Sequence, residues 1–387
     1  MKWTNKGHEF DGVFQNIEKL TGVYLFGAGN DGRMVKEILC MRYPCVKVLG
    51  FIDNNKNKQG VQYEGLPVYS LSQIQRTEDI GIVISFASEF VNAIDSQLAD
   101  AGWEKDITFF HYEKFLSVVA VYRYDEVFFS SMGILPTTKC NLRCKACLNF
   151  TNYISKFTAC SFDTLKKEVD LFFSCVDYIG LLLLSGGEPF LYSEIAELIG
   201  YINENYRKKI YSLELVTNGT VTPCEEIIKA IQNADIKVTV DDYREALPER
   251  KDAIEKNILL LAETCGEKIV TRKYSDWISL YPHKTEAMTE AELIRKFELC
   301  HVPWQEYRDG KLFCCNYASF AAKARITGEN DISETYDLRA FSKDKKKELI
   351  EFRLGYSEKG YMEFCKQCAG YLEINPYKVP AAEQEGR

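Results

Sequence analysis

The sequence contains no apolar run that approaches the roughly 18 residues of a membrane-spanning helix. Its stretch Gly180–Leu184 is typical of one short buried strand, and residues 1–6 lack the apolar segment of a secretory signal peptide. A basic surplus is also absent, because 48 Lys and Arg stand against 56 Asp and Glu, for a net charge of −8. We therefore expect a cytoplasmic protein without a membrane or nucleic-acid partner.

Histidine is scarce, with four residues in 387, and none of them has an aspartate two positions earlier. The Asp-x-His-x-x-Gly signature of cobalamin-binding domains is thus missing, which argues against cobalamin-dependent methyl transfer. Cysteine is abundant, with 14 residues. Because no secretion signal is recognisable, this abundance predicts thiolates kept reduced as metal ligands rather than a disulfide framework. The length predicts two or three domains.

The most specific motif is a loop with Cys140, Cys144 and Cys147, spaced C-x₃-C-x₂-C. Three thiolates on one loop can bind three irons of a 4Fe–4S cluster and leave the fourth iron open to a small molecule. Two structural interpretations are the alternatives: buried cysteines of the core, or a zinc site that lacks one ligand.

Residues 1–124 are predicted to form a first domain. Strands expected at Val23–Phe26, Val46–Ile52 and Ile80–Phe86 alternate with helical patterns, which predicts a parallel, Rossmann-like sheet. The turn after the first strand carries three glycines, and an acidic residue ends the second strand: Gly27, Gly29, Gly32 and Asp53. Such glycines let a phosphate approach a helix N-terminus, and the acidic residue could accept a ribose hydroxyl. A vestigial scaffold is the alternative.

Residues 125–288 are predicted to form a partial (β/α)₆ barrel of the TIM type, again of α/β class. Five strands are expected within Gly133–Pro136, Tyr178–Leu184, Ser212–Thr217, Ile236–Val240 and Ile269–Thr271. Chemistry in parallel barrels lies at the C-terminal ends of the strands. The turns that follow the second, third and fourth strands are therefore candidates, with Gly186, Gly187, Glu188, Pro189, Asn218 and Asp241.

Residues 289–387 are predicted to form a small α+β domain with a second metal site. Its cysteines are Cys300, Cys314, Cys315, Cys365 and Cys368. Two nearby and two distant cysteines suit a tetrathiolate site, with a structural zinc as the alternative. The tail 381–387 is expected to be disordered.

The three-cysteine loop, the Gly-Gly-Glu-Pro turn and the Thr-Asn-Gly turn, in this order, resemble the radical S-adenosylmethionine superfamily. The resemblance implies that Cys140, Cys144 and Cys147 bind a 4Fe–4S cluster whose open iron takes S-adenosylmethionine. It further implies that Gly186, Gly187 and Glu188 hold the amino group of that cofactor, with Pro189 and Asn218 in the same turns, and that Thr239 or Asp241 contacts its ribose. Ala146 departs from the aromatic that many members carry there, and Phe150 or Tyr153 could substitute.

The late cysteines resemble the auxiliary-cluster domain called Twitch or SPASM. This implies that Cys300, Cys315, Cys365 and Cys368 bind a second 4Fe–4S cluster. Family members place one ligand five residues past a hairpin glycine, which selects Cys315 over Cys314 when counted from Gly310. Four protein ligands leave no open iron, so this cluster would relay electrons.

The stretches Gly50–Asn54 and Gly65–Val68 resemble the front domain of bacterial nucleotide-sugar acetyltransferases. Together the resemblances imply an oxidoreductase or isomerase that dehydrogenates, epimerises or deoxygenates a nucleotide-activated or related sugar. The product would enter a surface polysaccharide or a glycosylated metabolite. Its electron donor would be a flavodoxin or ferredoxin. One alternative is a maturase of a ribosomally made peptide or protein. Another is a binding protein in which zinc stabilises both cysteine sets.

Overall fold

The computed structural model describes residues 1–86, 90–281, 287–300, 305–328 and 335–385. The strands found in these ranges are β1 Gly22–Phe26, β2 Lys47–Ile52, β3 Gln62–Tyr63, β4 Leu66–Tyr69, β5 Ile80–Ile84, β6 Phe109–His111, β7 Phe128–Ile134, β8 Tyr178–Leu184, β9 Ile210–Thr217, β10 Lys237–Asp241, β11 Ile269–Arg272, β12 Asp276–Ile278, β13 Glu306–Arg308, β14 Lys311–Phe313, β15 Thr335–Asp337 and β16 Lys378–Pro380. The α-helices found there are α1 Asp11–Ile17, α2 Asn30–Met41, α3 Val91–Asp100, α4 Tyr112–Tyr124, α5 Phe162–Cys175, α6 Ile195–Tyr206, α7 Glu225–Asn233, α8 Lys251–Cys265, α9 Glu290–Leu299, α10 Asn316–Lys323 and α11 Lys346–Arg353.

The chain divides into two compact units, of which one comprises residues 3–130 and 342–354. Its sheet has the order β3-β4-β2-β1-β5-β6. The last five of these strands pair in parallel, and β3 joins β4 antiparallel. The chain starts at β1, moves outward through β2 to β4, and then returns to the other side of β1 at β5. Connections on either side of β1 therefore leave in opposite directions, which opens a crevice at the carboxyl ends of β1 and β5.

A tight turn joins β1 to α2 at this crevice. Gly27 has a φ of +119°, a conformation that L side chains rarely adopt. Inside α2, a Cβ atom at Gly32 would lie only 2.1 Å from the carbonyl oxygen of Gly27. Glycine at position 32 therefore lets the first turn of α2 pack directly against the loop that precedes it.

The second unit comprises residues 1–2, 131–341 and 355–387. Its eight-stranded sheet has the order β11-β10-β9-β8-β7-β13-β14-β15. The strands β8, β9, β10 and β11 pair in parallel, and α6, α7 and α8 connect them in turn. On the other side of β8 lies β7, followed by β13. The strand β13 pairs in parallel with β7 through Glu306 and Gly133. The loops after β7, β8 and β9 thus emerge at one edge of the sheet.

The helices of this unit bury one stripe each against the sheet. In α6 the buried residues follow the spacing of a single helical face: Ile195, Leu198, Ile199 and Ile202. They face strands whose apolar side chains are fully buried, such as Leu182 and Leu184 of β8. Ser161 caps α5 by accepting a hydrogen bond from the amide of Thr164. Because these apolar stripes are buried, the helices pack on the outer face of the sheet. They do not cover the loops that follow the strands.

The expected mixed α/β class with parallel sheets is confirmed, and each predicted strand of residues 1–288 overlaps an observed one. The names Rossmann-like and (β/α)₆ barrel, and the division into three domains at residues 124 and 288, stay predictions. The prediction of a disordered tail was wrong for residues 381–385, because Ala381 and Ala382 are buried. In the described ranges, no helix is long and apolar enough to cross a membrane.

Candidate functional site

The three-cysteine loop after β7 packs on the Gly-Gly-Glu turn after β8. The amide of Gly187 donates to the carbonyl of Thr137 at 3.0 Å, and the amide of Glu188 donates to the carbonyl of Lys139 at 2.8 Å. A Cβ atom at Gly187 would lie 2.2 Å from the Lys139 oxygen. The glycine is therefore required for loop packing, a reason that the sequence pattern does not reveal.

The turn after β9 is bound to the same cysteine loop. Asn218 donates through Nδ2 to Oδ1 of Asn141 at 3.2 Å, and the same nitrogen lies 3.8 Å from Cys140 Sγ. Asn141 in turn donates through Nδ2 to Oγ1 of Thr220 at 2.7 Å. Three consecutive loops of the sheet are thereby tied into one surface.

Glu188 is fully buried between these loops and accepts three hydrogen bonds. Its Oε1 atom accepts from the amide of Phe190 and the hydroxyl of Thr217, and its Oε2 atom accepts from the amide of Asn218. Burial raises the pKa of Glu188 to about 7, although these hydrogen bonds act in the opposite direction. Since a carboxylate oxygen has two lone pairs, one acceptor position remains on Oε2 for a ligand.

Each sulfur of the cysteine loop has a polar neighbour. Cys140 Sγ lies 3.5 Å from the amide of Leu142, and Cys147 Sγ lies 3.1 Å from the hydroxyl of Thr151. Cys144 Sγ accepts a hydrogen bond from Nε2 of Gln384 at 3.2 Å. The three sulfurs therefore lie in a partly polar environment on one loop.

Residues 381–385 form a strap across this loop. The amide of Lys145 donates to the carbonyl of Glu383, and the amide of Glu385 donates to the carbonyl of Arg143, both at 2.8 Å. The amide of Arg143 also donates to Oε1 of Gln384 at 2.8 Å. The strap continues from β16, which is itself paired with β12, so it is anchored on both sides of the cysteines.

The thiol chemistry of the loop fits an iron–sulfur cluster. Burial raises the pKa of both Cys140 and Cys144 to about 12, and the neighbouring Cys147 adds to the effect. Thiolates that are costly to hold alone are stabilised by bound metal cations. Within the described ranges, no three Cys, His, Asp or Glu side chains form a ready site for a single metal ion. A cubane differs from such a site, because each of its irons takes a separate thiolate.

A cavity of about 220 Å³ lies within this unit, at the carboxyl ends of the strands. Thr239 and Asp241 of β10 contribute to its wall, as do Ser185 after β8 and Asn149 of the cysteine loop. Asp241 Oδ2 accepts a hydrogen bond from the Tyr243 hydroxyl at 2.9 Å. Burial raises the pKa of Asp241 to about 6. The cavity therefore brings the predicted cofactor residues of β10 near the loop that carries the cysteines.

The four late cysteines selected from the sequence surround one small, mostly apolar cavity: Cys300, Cys315, Cys365 and Cys368. Burial raises the pKa of Cys300, Cys315 and Cys368, and for the first two the other sulfurs act in the same direction. Cys315 directly precedes α10 and so lies at a helix N-terminus, where the helix dipole favours an anion. Four thiols that line one small cavity are the kind of donor set that a tetrathiolate cluster needs.

Cys314 contacts a different neighbour. Its Sγ atom lies 3.4 Å from Sδ of Met362, and it does not line the cavity of the other four cysteines. Adjacent residues that leave a strand point to opposite sides, which separates Cys314 from Cys315. Lys296 adds a positive charge to this region, because its Nζ atom donates to the carbonyls of Cys365 and Cys368.

The glycine turn of the N-terminal unit borders a separate cavity of about 540 Å³. Its wall includes Gly27, Gly29, Gly32 and Asp53, together with Lys58. This volume lies within the range of small-molecule sites. The residues selected from the sequence are thus brought together at the switch point of the parallel sheet.

Asp53 is already engaged by the protein. Its Oδ2 atom accepts from the amide of Ala28 at 3.0 Å and from Nζ of Lys58 at 3.1 Å, and its Oδ1 atom accepts from the amide of Asn55. The carboxylate therefore fixes the glycine turn and retains one acceptor position on Oδ1. Lys58 also donates to the carbonyl of Ala28 at 2.7 Å, which places a cation at the mouth of the turn.

Residues 134–261 match the sequence model of the Radical SAM superfamily. The chain contains a radical SAM domain. Enzymes of this superfamily use a 4Fe–4S cluster and S-adenosylmethionine, and they act on small-molecule or peptide substrates with a reductant. Residues 20–108 match the family described as C2185-like, N-terminal. No curated protein matches the chain.

Solved structures with similar folds include BtrN in complex with AdoMet and 2-DOIA, at 19% identity and a TM-score of 0.41 over 64% of this chain and 97% of that chain. SuiB of Streptococcus suis bound to the precursor peptide SuiA is 15% identical, with a TM-score of 0.31 over 57% of this chain and 52% of that chain. The protein anSMEcpe with bound AdoMet is 14% identical, with a TM-score of 0.33 over 61% of this chain and 83% of that chain. With TM-scores below 0.5, these likenesses say nothing about the substrate of the radical SAM domain.

Several residues of the site have no sequence signal. Gln384 lies in a tail without recognisable pattern, and Glu306 lies in a three-residue strand too short for periodicity. Lys58 lies in a polar stretch that reads as a loop. Their roles arise from contacts between segments far apart in the chain, which a local pattern does not report.

The packing of the Gly187 turn can be tested by adding one methyl group. Gly187→Ala should destabilise the protein by about 1–3 kcal/mol, because the new Cβ atom meets the Lys139 carbonyl. The variant should also retain less iron after anaerobic reconstitution, since the two loops are forced apart. The control is Gly200→Ala in α6, where nothing lies within 4 Å of the added atom. Equal melting midpoints for both variants would show that the two loops separate at no cost.

Proposed function

We propose that this chain generates a 5′-deoxyadenosyl radical and uses it for redox modification of a nucleotide-activated or related sugar, by dehydrogenation, epimerisation or deoxygenation. The observation that carries the radical chemistry is the cysteine loop, which packs on the Gly-Gly-Glu turn beside a cavity at the strand ends. The sugar is supported by the separate cavity of the N-terminal unit.

Cys140, Cys144 and Cys147 would hold the catalytic cluster, because they are buried or half-buried thiols on one loop with polar neighbours at each sulfur. When bound, the cluster supplies the electron that cleaves S-adenosylmethionine to methionine and the 5′-deoxyadenosyl radical. The protein holds the loop closed by the strap and by the turn at Gly187. Exclusion of water from this region would protect a reactive intermediate.

The cofactor would be held by residues on three neighbouring strand ends. Glu188 offers the one remaining acceptor position of Oε2 to the amino group, with Gly186 and Pro189 on either side of the same turn. Asn218 holds that turn in place through its amide. Thr239 and Asp241 would receive the ribose in the adjoining cavity. Phe150 is buried against Phe364 and Tyr281, so the more exposed Tyr153 suits the adenine better.

Cys300, Cys315, Cys365 and Cys368 would hold an auxiliary cluster that exchanges electrons with the substrate. The cavity between them is small and its exposed wall is mostly apolar, with Lys296 at its border. A dry site with nearby positive charge raises the affinity of a cluster for an electron. These features suit electron acceptance from a substrate that loses a hydrogen atom and then a proton.

The N-terminal unit would bind the nucleotide portion, and its sheet order supports the Rossmann-like interpretation. The N-terminus of α2 borders the cavity, and the helix dipole there favours phosphate. Lys58 adds a cation, while Asp53 keeps one acceptor position for a ribose hydroxyl.

Deuterium transfer tests the radical chemistry on a sugar. Reconstituted full-length protein with dithionite, S-adenosylmethionine and ring-deuterated UDP-, GDP- or CDP-sugars should yield deuterated 5′-deoxyadenosine, measured by mass spectrometry. Cys144→Ala should abolish the product, because one iron loses its thiolate, whereas Cys40→Ala changes an exposed cysteine and should leave it intact. Unlabelled 5′-deoxyadenosine from every labelled sugar would contradict the sugar assignment but not the cofactor chemistry.

Iron content tests the auxiliary cluster. Wild-type protein reconstituted without oxygen should contain about eight irons per chain, and Cys315→Ala should lower this to about four, since a tetrathiolate site loses one ligand. Cys314→Ala is the matched control, because its sulfur contacts Met362 and does not line the cavity. Zinc without sulfide in the wild type would instead support the interpretation of structural cysteines.

Ligand-induced stabilisation distinguishes a nucleotide-sugar enzyme from a peptide maturase. A nucleotide-sugar at 100 times its dissociation constant should stabilise the full chain by about 2.7 kcal/mol, visible as a rise of several degrees in the melting midpoint. Lys58→Ala should diminish the rise, whereas Lys56→Ala, at an exposed neighbouring position, should not. No rise with any UDP-, GDP- or CDP-sugar would favour the maturase.

A further inference from the structure

The cavity at the strand ends contains polar atoms that the mechanism above does not use. Glu306, on β13, is only 1% exposed and forms part of the wall. Its Oε2 atom is buried and has no hydrogen-bond partner. Oδ1 of Asn316, the first residue of α10, is likewise buried and without a partner, and it belongs to the same wall. Both come from segments outside residues 134–261, which match the radical SAM model.

These atoms are costly to leave unsatisfied. A buried carboxylate oxygen without a hydrogen bond loses its hydration and gains nothing in return. Burial raises the pKa of Glu306, and the hydroxyl of Ser319 is its one hydrogen-bonding neighbour. Arg308 and Lys323 act on Glu306 only through their charge, and Arg308 lies 3.7 Å from the carboxylate of Asp309. The cost is explained if a ligand provides the missing donors.

The charge of the wall restricts that ligand. Among the residues that form it, the carboxylates are Glu214, Asp241 and Glu306, and the cation is Arg272 at an exposed position. A phosphate or carboxylate group placed here would meet a surplus of like charge. A hydroxyl or ammonium group would instead satisfy the free acceptors.

We propose that Glu306 and Asn316 form a substrate-recognition pair that selects the donor-rich ring of a sugar or amino sugar, while the phosphates of any activated substrate lie outside this cavity. This inference rests on the proposed function and adds the chemical character of the ring. The two acceptors lie on β13 and α10, so the segment after the radical SAM domain determines specificity. Glu306 acts as a recognition residue that contacts the substrate through Oε2.

The test compares ring probes on the reconstituted full chain with S-adenosylmethionine present. D-glucosamine, D-glucose and D-glucuronate are titrated by isothermal calorimetry into wild type, Glu306→Gln and Asn316→Asp. Wild type should bind glucosamine or glucose and reject glucuronate. Glu306→Gln should weaken that binding at least about tenfold, because a hydrogen bond to a charged group is lost. Binding of glucosamine alone assigns an ammonium to Glu306, and equal binding of both assigns hydroxyls.

A second readout separates recognition from a structural role. Without any ring probe, Glu306→Gln should melt at the same or a higher temperature than wild type, because an unsatisfied buried charge has been removed. Reductive cleavage of S-adenosylmethionine by the wild type, measured without any sugar, keeps a failure of this inference distinct from a failure of the proposed function. A lower melting midpoint, failure to fold, unchanged binding, binding of glucuronate, or no binding of either neutral or amino sugar by wild type would each overturn the inference.

Discussion

The approach of the Gly187 backbone to the Lys139 carbonyl determines how the loops of the radical SAM domain are arranged. At this position even a methyl group would lie 2.2 Å from a backbone oxygen. The contact brings the cysteine loop onto the second strand end, where Glu188 then links it to the third through Thr217 and Asn218. One missing side chain thus allows three loops to share a single hydrogen-bonded network.

Burial raises the pKa of both kinds of acidic group in this network, but the two are stabilised in different ways. For the thiols it raises the pKa, so a bound cationic cluster is the state in which they are best stabilised. For Glu188 the same burial is offset by three donors, which keep its geometry fixed. Glu306 differs from Glu188, because its Oε2 atom has no hydrogen-bond donor. The carboxylate of Glu188 is held by the protein itself, whereas that of Glu306 is available to a ligand.

Sequence patterns predicted the parallel α/β class and most strand positions, because buried strands read as apolar runs bounded by turns. They also selected cysteines that the fold brings together around one cavity, although their role as ligands stays a prediction. No sequence pattern indicated that Asp53 holds its own glycine turn, since the amide of Ala28 becomes its partner only after folding. The strap at residues 381–385 was missed for the same reason: its partners lie far away in the chain, and its composition alone resembles a disordered tail.

The separation of the strap and the cysteine loop along the chain also affects the order in which they are synthesised. Gln384 and Cys144 are 240 positions apart, and a ribosome adds ~5–20 residues each second. The cysteines therefore emerge roughly 10–50 s before the segment that covers them. During that interval the thiols of the nascent chain lack the contacts of the strap, so a cluster loaded at this stage would enter an uncovered loop.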